Sequence, residues 1–527
     1  MRAGKRIVEY TRAARGLSCG DDVAAVRDDQ PIGAIERTMR FRTLAIATNK
    51  ASKLKFAGQG HAASNRVRPG SPIRKIDPGP SPSPHRRVHL VGGFDMRPDR
   101  AKVALAVLAT MLASGIAHAG DVDTKAPDPV ATAPVPWLFG DWGGYRTRLL
   151  QQGIDFQFGY VSEVAYNAQG GIKSEVANAD QYLAGVTLDL DRLFGVHDSL
   201  FQVSITERTG RNLSDDAELG TLQQVQAIFG RGQTFRLTQF FFDQKYFNDL
   251  IDWKVGRAPF GGDFAAFDCD FQNLTFCGAA PGNLVGNYIW NWPISQWMTR
   301  LKFNLTGFGY FQFGVFDDNP KYLGVQDQLA PVFFAGSTGA LIPVELAWLP
   351  KFGDGALPGS YKIGAWYDTS NAPNVVDVMG TVAATNPNVP VVSSQGRYGG
   401  YINFEQQVTR SSTSNSRGGL SLFLNAVFAD DRTSTLDRQI AGGLLYTGPL
   451  GWRPDDDVAF AVGTTHVNNR VASAQALENA LGQGPVAVQQ SEYEFELFYT
   501  IRLINGLLIR PNLQYVLYPA APIKTQM

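Results

Sequence analysis

The chain has 527 residues, of which 44% are hydrophobic and 18% are charged, and its formal net charge is zero. That length is enough for one large domain or several ordinary ones. The charge is unevenly distributed, because residues 1–95 contain 18 Lys and Arg against 8 Asp and Glu, whereas residues 120–527 contain 27 against 39. A body with this acidic excess would repel a phosphate backbone, which excludes nucleic acid as a partner.

Residues 96–119 have the anatomy of a secretory signal peptide. A basic start is followed by an apolar core at residues 103–116 and by a small-x-small cleavage site at residues 117–119. The core is too short for a membrane-spanning helix, which needs about 20 residues; a buried helix is the alternative. We therefore interpret Met96 as the true start, and residues 1–95 as a mis-called or disordered extension.

Two short segments precede the main body of the chain. Residues 120–136 form a linker rich in Pro and Ala. Residues 137–153 contain YRTRLLQQ, which predicts a short helix that ends at Gly153. We expect this helix to lie in the periplasm.

From residue 154 onward, segments of alternating polarity are separated by turns rich in Gly, Asn, Asp and Pro. Successive side chains of a strand point to opposite faces, so alternation predicts strands with one apolar and one polar face. The clearest segment has Tyr493, Phe495, Leu497, Tyr499, Ile501 and Leu503 on one face and Glu492, Glu494, Glu496, Thr500 and Arg502 on the other. Fifteen predicted strands centre near residues 160, 186, 203, 241, 254, 301, 312, 345, 364, 403, 423, 442, 461, 497 and 512.

Alternation alone also fits a soluble β-sandwich with one wet face. Strand lengths close to the 9–11 residues of a tilted spanning strand, and aromatic residues at the ends of apolar faces, favour an all-β transmembrane antiparallel barrel over residues 154–527. Bacterial barrels usually have an even number of strands, which predicts sixteen. Since no alternating run follows Tyr518, either the closing strand is missing from this sequence or the first and fifteenth strands pair directly.

The stretch from Arg257 to Trp297, after the fifth predicted strand, has neither helical nor alternating periodicity. Structureless loops of this length are rare in compact domains unless they are functional. A barrel of about sixteen strands encloses an aqueous lumen, so we expect this loop to fold inward and narrow it. Cys269 and Cys277 lie in the loop, and export predicts that they form a disulfide; two free buried thiols are the alternative.

Seven motifs follow one another along residues 137–519. They are WLFGDWGGYRTRLLQQGI at 137–154, LTQFFFDQKYF at 237–247, KVGRAPFGGDF at 254–264, FDCDFQNLTFCG at 267–278, NWPISQW at 291–297, FGVFDDNP at 313–320 and RPNLQYVLYP at 510–519. Together they resemble the carbohydrate-selective porins of the OprB family. The resemblance implies a sixteen-stranded outer-membrane barrel that passes sugars, glucose in particular. The sequence departs from the family in its first 95 residues and in lacking the closing strand.

Sugars are recognised by aromatic faces and by planar polar groups, and the long loop offers both. Arginines near it would face its acids across the constriction and create a transverse field that orders water and hydroxyl groups. The predicted substrate-contacting or pore-lining residues are Arg208, Arg211, Arg257, Asp263, Asp268, Asp270, Gln272, Asn273, Trp290 and Trp292. For each of them, packing of the loop against the wall is the alternative.

We therefore expect an outer-membrane porin for passive diffusion of small sugars, with membrane lipid and small carbohydrates as partners and a homo-trimer as a common porin assembly. The alternatives are a general or differently selective pore and a secreted, soluble β-rich carbohydrate-binding protein. A barrel hydrolase would need a nucleophile beside a base, but residues 120–527 contain no GxSxG motif and only His197 and His466. No metal-ligand spacing or nucleotide motif is visible, so no cofactor is expected.

Overall fold

A computed structural model describes residues 40–49, 137–324, 329, 333–353, 357–385, 387–411, 418–484 and 486–519, with only the backbone for residues 40–49. The predicted signal peptide, cleavage site and linker lie outside these residues and stay predictions.

Fifteen long strands form the sheet, and every predicted strand centre falls inside one of them, which confirms the predicted strands. The strands are β1 (Ile154–Gln169), β2 (Val176–Asp189), β3 (Ser199–Gly210), β4 (Phe235–Tyr246), β5 (Ile251–Ala258), β6 (Gln296–Leu305), β7 (Gly309–Asp318), β8 (Gly339–Trp348), β9 (Leu357–Pro373), β10 (Ser393–Gln407), β11 (Gly419–Ala429), β12 (Leu436–Thr447), β13 (Asp457–Val467), β14 (Ser491–Ile504) and β15 (Leu507–Leu517). Each pairs antiparallel with the next along the chain. The two-residue strand Lys351–Phe352 pairs with the start of β9.

The alternation of side chains is inverted relative to a soluble protein. On β14 the carboxylates of Glu492, Glu494 and Glu496 are buried, whereas Tyr493 and Leu497 are exposed. The same pattern of exposed apolar side chains runs round the sheet, for example at Phe313, Val344, Ile363, Leu424 and Phe460. An apolar outer band around a polar interior is the arrangement of a barrel that stands in lipid. The structure therefore confirms the transmembrane barrel.

The two ends of the barrel differ. At one end the connections are short, such as residues 306–308 and 505–506; at the other they are long, such as residues 211–234, 259–295 and 468–490. Outer-membrane barrels have short periplasmic turns and longer extracellular loops. The end with the short turns, where the chain enters β1, is therefore the periplasmic end.

An odd number of antiparallel strands makes β1 and β15 run in the same direction. The segment Arg40–Asn49 lies between them and pairs in parallel with both, so that position 41 is opposite Ile509 of β15 and Ser162 of β1. The first and fifteenth strands therefore do not pair directly in this structure, which was one of the two alternatives, and the interpretation of residues 1–95 as a mis-called or disordered extension stays a prediction. Whether translation begins at Met96 stays a prediction.

Helices are few and short. They are α1 (Tyr145–Gln151), α2 (Leu190–Phe194), α3 (Leu213–Asp216), α4 (Ala280–Leu284) and α5 (Asn469–Ala480), with 3-10 turns at Trp142–Gly144, Phe260–Gly262, Leu274–Phe276 and Pro320–Leu323. Helix α1 ends just before Gly153, whose φ of 94° turns the chain into β1. Within the described residues, no helix has the length and apolar character required to cross a membrane.

Candidate functional site

The loop between β5 and β6, residues 259–295, folds into the barrel; we call it the second inner loop. It begins with Phe260 and Phe264, both fully buried, which pack against Phe316 on the inner face of β7. The three ring centroids lie 5.7–5.9 Å apart. Burial of three aromatic side chains is a strong apolar anchor, so the start of the loop is held to the wall.

An ionic contact follows this apolar anchor. Lys254 Nζ of β5 lies 2.7 Å from Asp263 Oδ1, and Arg300 Nε of β6 lies 3.5 Å from the same oxygen. The Asp263 side chain is only 5% exposed. Burial by itself raises the pKa of the Asp263 carboxyl, but the charges of Lys254 and Arg300 outweigh burial and hold that pKa below its ordinary value. Asp263 is therefore an ionised tether between the loop and the wall.

The loop then runs along the wall through contacts to its own backbone. The Glu345 carboxylate of β8 accepts a hydrogen bond of 2.8 Å from Ala265 N. On β9, Lys362 Nζ donates to Ala266 O at 2.6 Å. In both contacts a side chain of the wall binds a backbone atom of the loop. This part of the loop is therefore held without its own side chains.

Further along, the loop reaches β15 and β13. Arg510 Nη2 of β15 lies 3.0 Å from Asp270 Oδ1. A disulfide between Cys269 and Cys277 closes the segment that makes this contact. On β13 a side chain at Gly463 would place its Cβ 2.7 Å from Thr275, so the loop approaches that strand as closely as only glycine permits.

The segment also binds β14. Glu496 accepts hydrogen bonds from the backbone N–H groups of Gln272 and Asn273, at 2.7 and 2.8 Å. A carboxylate that accepts two N–H bonds makes charge-assisted contacts, which are stronger than neutral ones. The contacts of the loop thus extend from β5 to β15.

The second half of the loop is held by buried aromatic residues. Trp366 Nε1 of β9 donates to Tyr288 Oη at 3.0 Å, and the Arg397 guanidinium of β10 lies 3.7 Å from the centre of the Tyr288 ring. Trp290 packs edge-on against Tyr322, with centroids 5.7 Å apart. The loop ends at residue 295, and β6 begins at Gln296.

Another loop also folds into the barrel, and its inward path was not predicted from the sequence. Residues 211–234, between β3 and β4, form what we call the first inner loop. Glu492 of β14 accepts from Leu222 N at 2.9 Å and from Gln223 N at 3.3 Å. On β1, Glu163 accepts from Ile228 N at 3.1 Å. The loop therefore crosses the barrel interior from β3 to β14 and β1.

The two inner loops are hydrogen-bonded to each other. Ala227 N donates to Gln272 O at 2.8 Å, and Leu274 N donates to Gln224 O at 2.9 Å. These two backbone bonds join the loops next to β14. The barrel is thus narrowed by a joined pair of loops, and not by one loop alone.

A group of arginines lies where the first inner loop meets β3 and β4. Arg236 donates to the carbonyl of Tyr322 at 2.9 Å, and Arg231 donates to Gly286 O of the second inner loop at 3.0 Å. Arg208 donates to Gln181 Oε1 at 2.8 Å, and it lies close enough to Arg231 and Arg236 for electrostatic repulsion between the guanidinium groups. Burial lowers the pKa of the Arg231 guanidinium. This wall is cationic, whereas the inner face of β14 carries three carboxylates.

Several of the predicted pore-lining residues are buried in this structure, and their contact with a solute stays a prediction. Arg208, Arg257, Gln272, Asn273 and Trp290 are buried, and so is the side chain of Asp263. The side chains of Asp263, Asn273 and Arg257 make contacts that join the second inner loop to the wall, which leaves little of their surface for a passing solute. Trp292 is half-buried.

The expected pairing of Arg208, Arg211 and Arg257 with acids of the second inner loop is also not seen. Arg257 donates to Ser295, and the exposed Arg211 pairs with Asp216 of its own loop at 2.7 Å. Lys254, Arg300 and Arg510 take the positions opposite the loop acids instead. They alternate with apolar residues along predicted strands, so strand periodicity already placed them on the inner face.

Two predicted residues remain accessible. Asp268 is exposed, and the Asp270 side chain is 18% exposed beside Arg510. Asp270 lies in the segment closed by the disulfide, and Asp268 directly precedes Cys269. They are the predicted loop residues best placed to meet a solute in the lumen.

An antiparallel barrel with an apolar outer band, narrowed by two inner loops, is a porin of the outer membrane. The model of the carbohydrate-selective porin, OprB family, matches residues 173–524. The chain belongs to this family, as its sequence motifs had indicated.

Comparison with individual proteins also indicates a porin. Porin B of Pseudomonas aeruginosa is 40% identical over 397 residues, which is 73% of this chain and 87% of that protein. A putative porin, QuiX, of Acinetobacter baylyi is 33% identical over 402 residues, or 73% of this chain and 89% of that protein. The high-pH structure of Pseudomonas putida OprB superposes with a TM-score of 0.69 at 41% identity and covers 73% of this chain and 94% of that one.

Proposed function

We propose that this porin passes small neutral sugars such as glucose across the outer membrane by passive diffusion. The observation that carries the proposal is the joined pair of inner loops, which are bonded to each other and to the wall inside a barrel that would otherwise be wide. Selectivity in such a pore depends on its width, its hydrogen-bonding groups and its electrostatic barriers.

The charge distribution suits a polyhydroxylated solute. The arginine group of Arg208, Arg231 and Arg236 lies on the side of β3 and β4, and the carboxylates of β14 lie several strands away round the barrel. A field between them orients hydroxyl groups without a net charge preference. A neutral sugar can exchange its bonds to water for bonds to planar charged groups, while an ion of either sign meets repulsion from one wall.

We further propose that the chain has no catalytic activity. His466 Nδ1 lies 2.6 Å from Asp437, and the exposed His197 lies 3.0 Å from Asp191. In the described part of the chain neither histidine is hydrogen-bonded to a hydroxyl or thiol group that it could activate. The relatives are channels, which agrees with this proposal. The homo-trimer stays a prediction.

Liposome swelling tests the proposed function. We expect vesicles that contain the protein to swell faster in glucose than in sucrose, and faster in glucose than in gluconate, which matches glucose in size but is charged. Asp268→Ala should change the glucose rate more than the ionic conductance, because Asp268 is the exposed loop acid. Equal rates for glucose and sucrose would point to a general pore, and a faster rate for gluconate to a differently selective one.

A further inference from the structure

The inner face of β14 presents three glutamates in a row. Glu492, Glu494 and Glu496 are at most 1% exposed. Two of them make the same kind of contact, since each carboxylate accepts from two consecutive backbone N–H groups of an inner loop. Glu492 binds the first inner loop, and Glu496 binds the second.

One strand therefore determines how the two loops are placed relative to each other. Glu492 and Glu496 are four residues apart on the same face of an extended strand, which separates them by about 13 Å. Between them the loops are joined by the bonds of Ala227 and Leu274 to the opposite loop. A strand held in the sheet on both sides is rigid, whereas loops are the mobile parts of a barrel.

The contacts do not depend on loop side chains. Backbone N–H groups are the donors in all four bonds, and Glu492 has no ion-pair partner among the described residues. Its oxygens accept from the N–H groups of the loop, so the contact is lost if these acceptors are lost. A buried N–H left without an acceptor is unfavourable, and the loop would move to satisfy it.

We propose that Glu492 and Glu496 are positioning residues that set the width of the constriction by fixing both inner loops to one strand. The proposal deepens the proposed function, because it names the groups that keep the pore narrow enough to select a monosaccharide. Neither residue is required to touch the sugar.

The test replaces each carboxylate by an amide of the same shape. In Glu496→Gln, the new NH₂ group cannot accept from an N–H group, so one of the two bonds is lost. In Glu492→Gln, the NH₂ group that replaces Oε2 faces the Leu222 N–H group, which is itself a donor, so that contact becomes unfavourable. We expect each variant to raise single-channel conductance about twofold, because ion flow follows pore width, and to reduce the ratio of glucose to sucrose permeation. The double variant should exceed the product of the single effects, because each loop still restrains the other in the single variants.

Glu494→Gln is the matched control. Glu494 lies on the same strand and face and is equally buried, but among the described residues neither of its carboxylate oxygens accepts from a backbone N–H of an inner loop. We expect a smaller rise in conductance and a smaller change in the sugar ratio for this variant than for the other two, because Glu494 belongs to the same row of carboxylates but binds no loop backbone. All variants should retain the wild-type β-rich dichroism spectrum and heat-modifiable migration. If one fails to fold, Glu496→Asp or Glu492→Asp, which keeps the charge but shortens the reach, should show the same change in smaller measure.

Wild-type conductance and sucrose exclusion in both glutamine variants would overturn the proposal. A rise in Glu494→Gln as large as in the other two would also overturn it, because it would assign the effect to charge on β14 in general. Absence of a glucose preference in the wild-type protein would refute the proposed function instead, and the conductance measurements would still decide the role of the two glutamates.

Discussion

At the residue scale, ionic contacts that are shielded from water hold the second inner loop. Asp263 pairs with Lys254 at a site where both side chains are at most 10% exposed. Lys245, near the end of β4, lies 3.4 Å from Asp249 in the turn that follows, and their side chains are 28% and 52% exposed. Exposed pairs contribute little to stability, whereas breaking a buried pair leaves an uncompensated charge. The two pairs therefore offer a direct comparison.

We predict that Asp263→Asn lowers the free energy of unfolding by about 3 kcal/mol at neutral pH, because the buried Lys254 and Arg300 lose the carboxylate that they share. Asp249→Asn, the exposed counterpart, should change it by less than about 1 kcal/mol. Urea titration of the protein folded in lipid vesicles measures both. Equal effects of the two substitutions would contradict the assignment of Asp263 as a tether.

The effect of Asp263→Asn should depend on pH with a defined sign. The pKa of Asp263 is lower in the folded protein than its ordinary value. Its contribution is therefore fully present above about pH 4, the unfolded pKa, and is lost as the pH falls through the lower, folded pKa. The difference between wild type and variant should be constant from pH 7 to about pH 5 and shrink below about pH 4.

At the element scale, the inner loops are determined by the strands they touch. The second inner loop was predicted because residues 257–297 are long and lack periodicity. The same criterion applies to residues 211–234. That stretch is shorter, however, and it contains no cysteine pair or tryptophan cluster that would indicate a functional loop. No local pattern shows that Leu222 and Gln223 bind Glu492, about 270 positions away. Contacts at such separation are made only when the loop folds into the barrel.

The disulfide acts on one element, the segment that contacts β13, β14 and β15. We predict that the double substitution Cys269→Ser and Cys277→Ser leaves the barrel folded but makes open-channel current noisier and lowers the ratio of glucose to sucrose permeation. By the chain-entropy model, a disulfide that closes so short a loop contributes roughly 2–3 kcal/mol, and the double variant loses this contribution to the order of the segment. Planar-bilayer recording with and without reductant measures it.

Reductant supplies the control for this prediction. Wild-type channels should acquire the noise of the double variant when the reductant reaches the disulfide, and the double variant should not respond. A double variant with quiet current and wild-type sugar ratios would show that the wall contacts of Asp270, Gln272 and Asn273 suffice.

At the scale of the whole molecule, lipid outside the barrel decides which side chains face outward. Leu497 of β14 is 45% exposed and lies beside the fully buried Glu496. We predict that Leu497→Arg lowers the free energy of unfolding in lipid vesicles by about 2–4 kcal/mol, which is the cost of a cation near the middle of the bilayer. Trp452→Arg, in the turn between β12 and β13, should cost at most about 1 kcal/mol, because that residue lies at the water interface.

Equal tolerance of arginine at both positions would argue against lipid around β14. Folding yield in dilauroyl phosphatidylcholine vesicles, measured by the shift in gel mobility, distinguishes the outcomes. A purified chain that remains in solution without detergent would contradict the barrel as a membrane protein.

The sequence by itself determined the fifteen strands, their inner and outer faces and the family, because alternation along a strand is a local property and lipid demands it without interruption. It did not determine which side chains meet the solute. Trp290 and Asp263 have the chemistry of pore-lining residues, yet they are buried by packing against Tyr322 and Lys254. The path of the two inner loops, and the glutamates of β14 that hold them, depend on strands far apart in the chain, which only the folded barrel brings together.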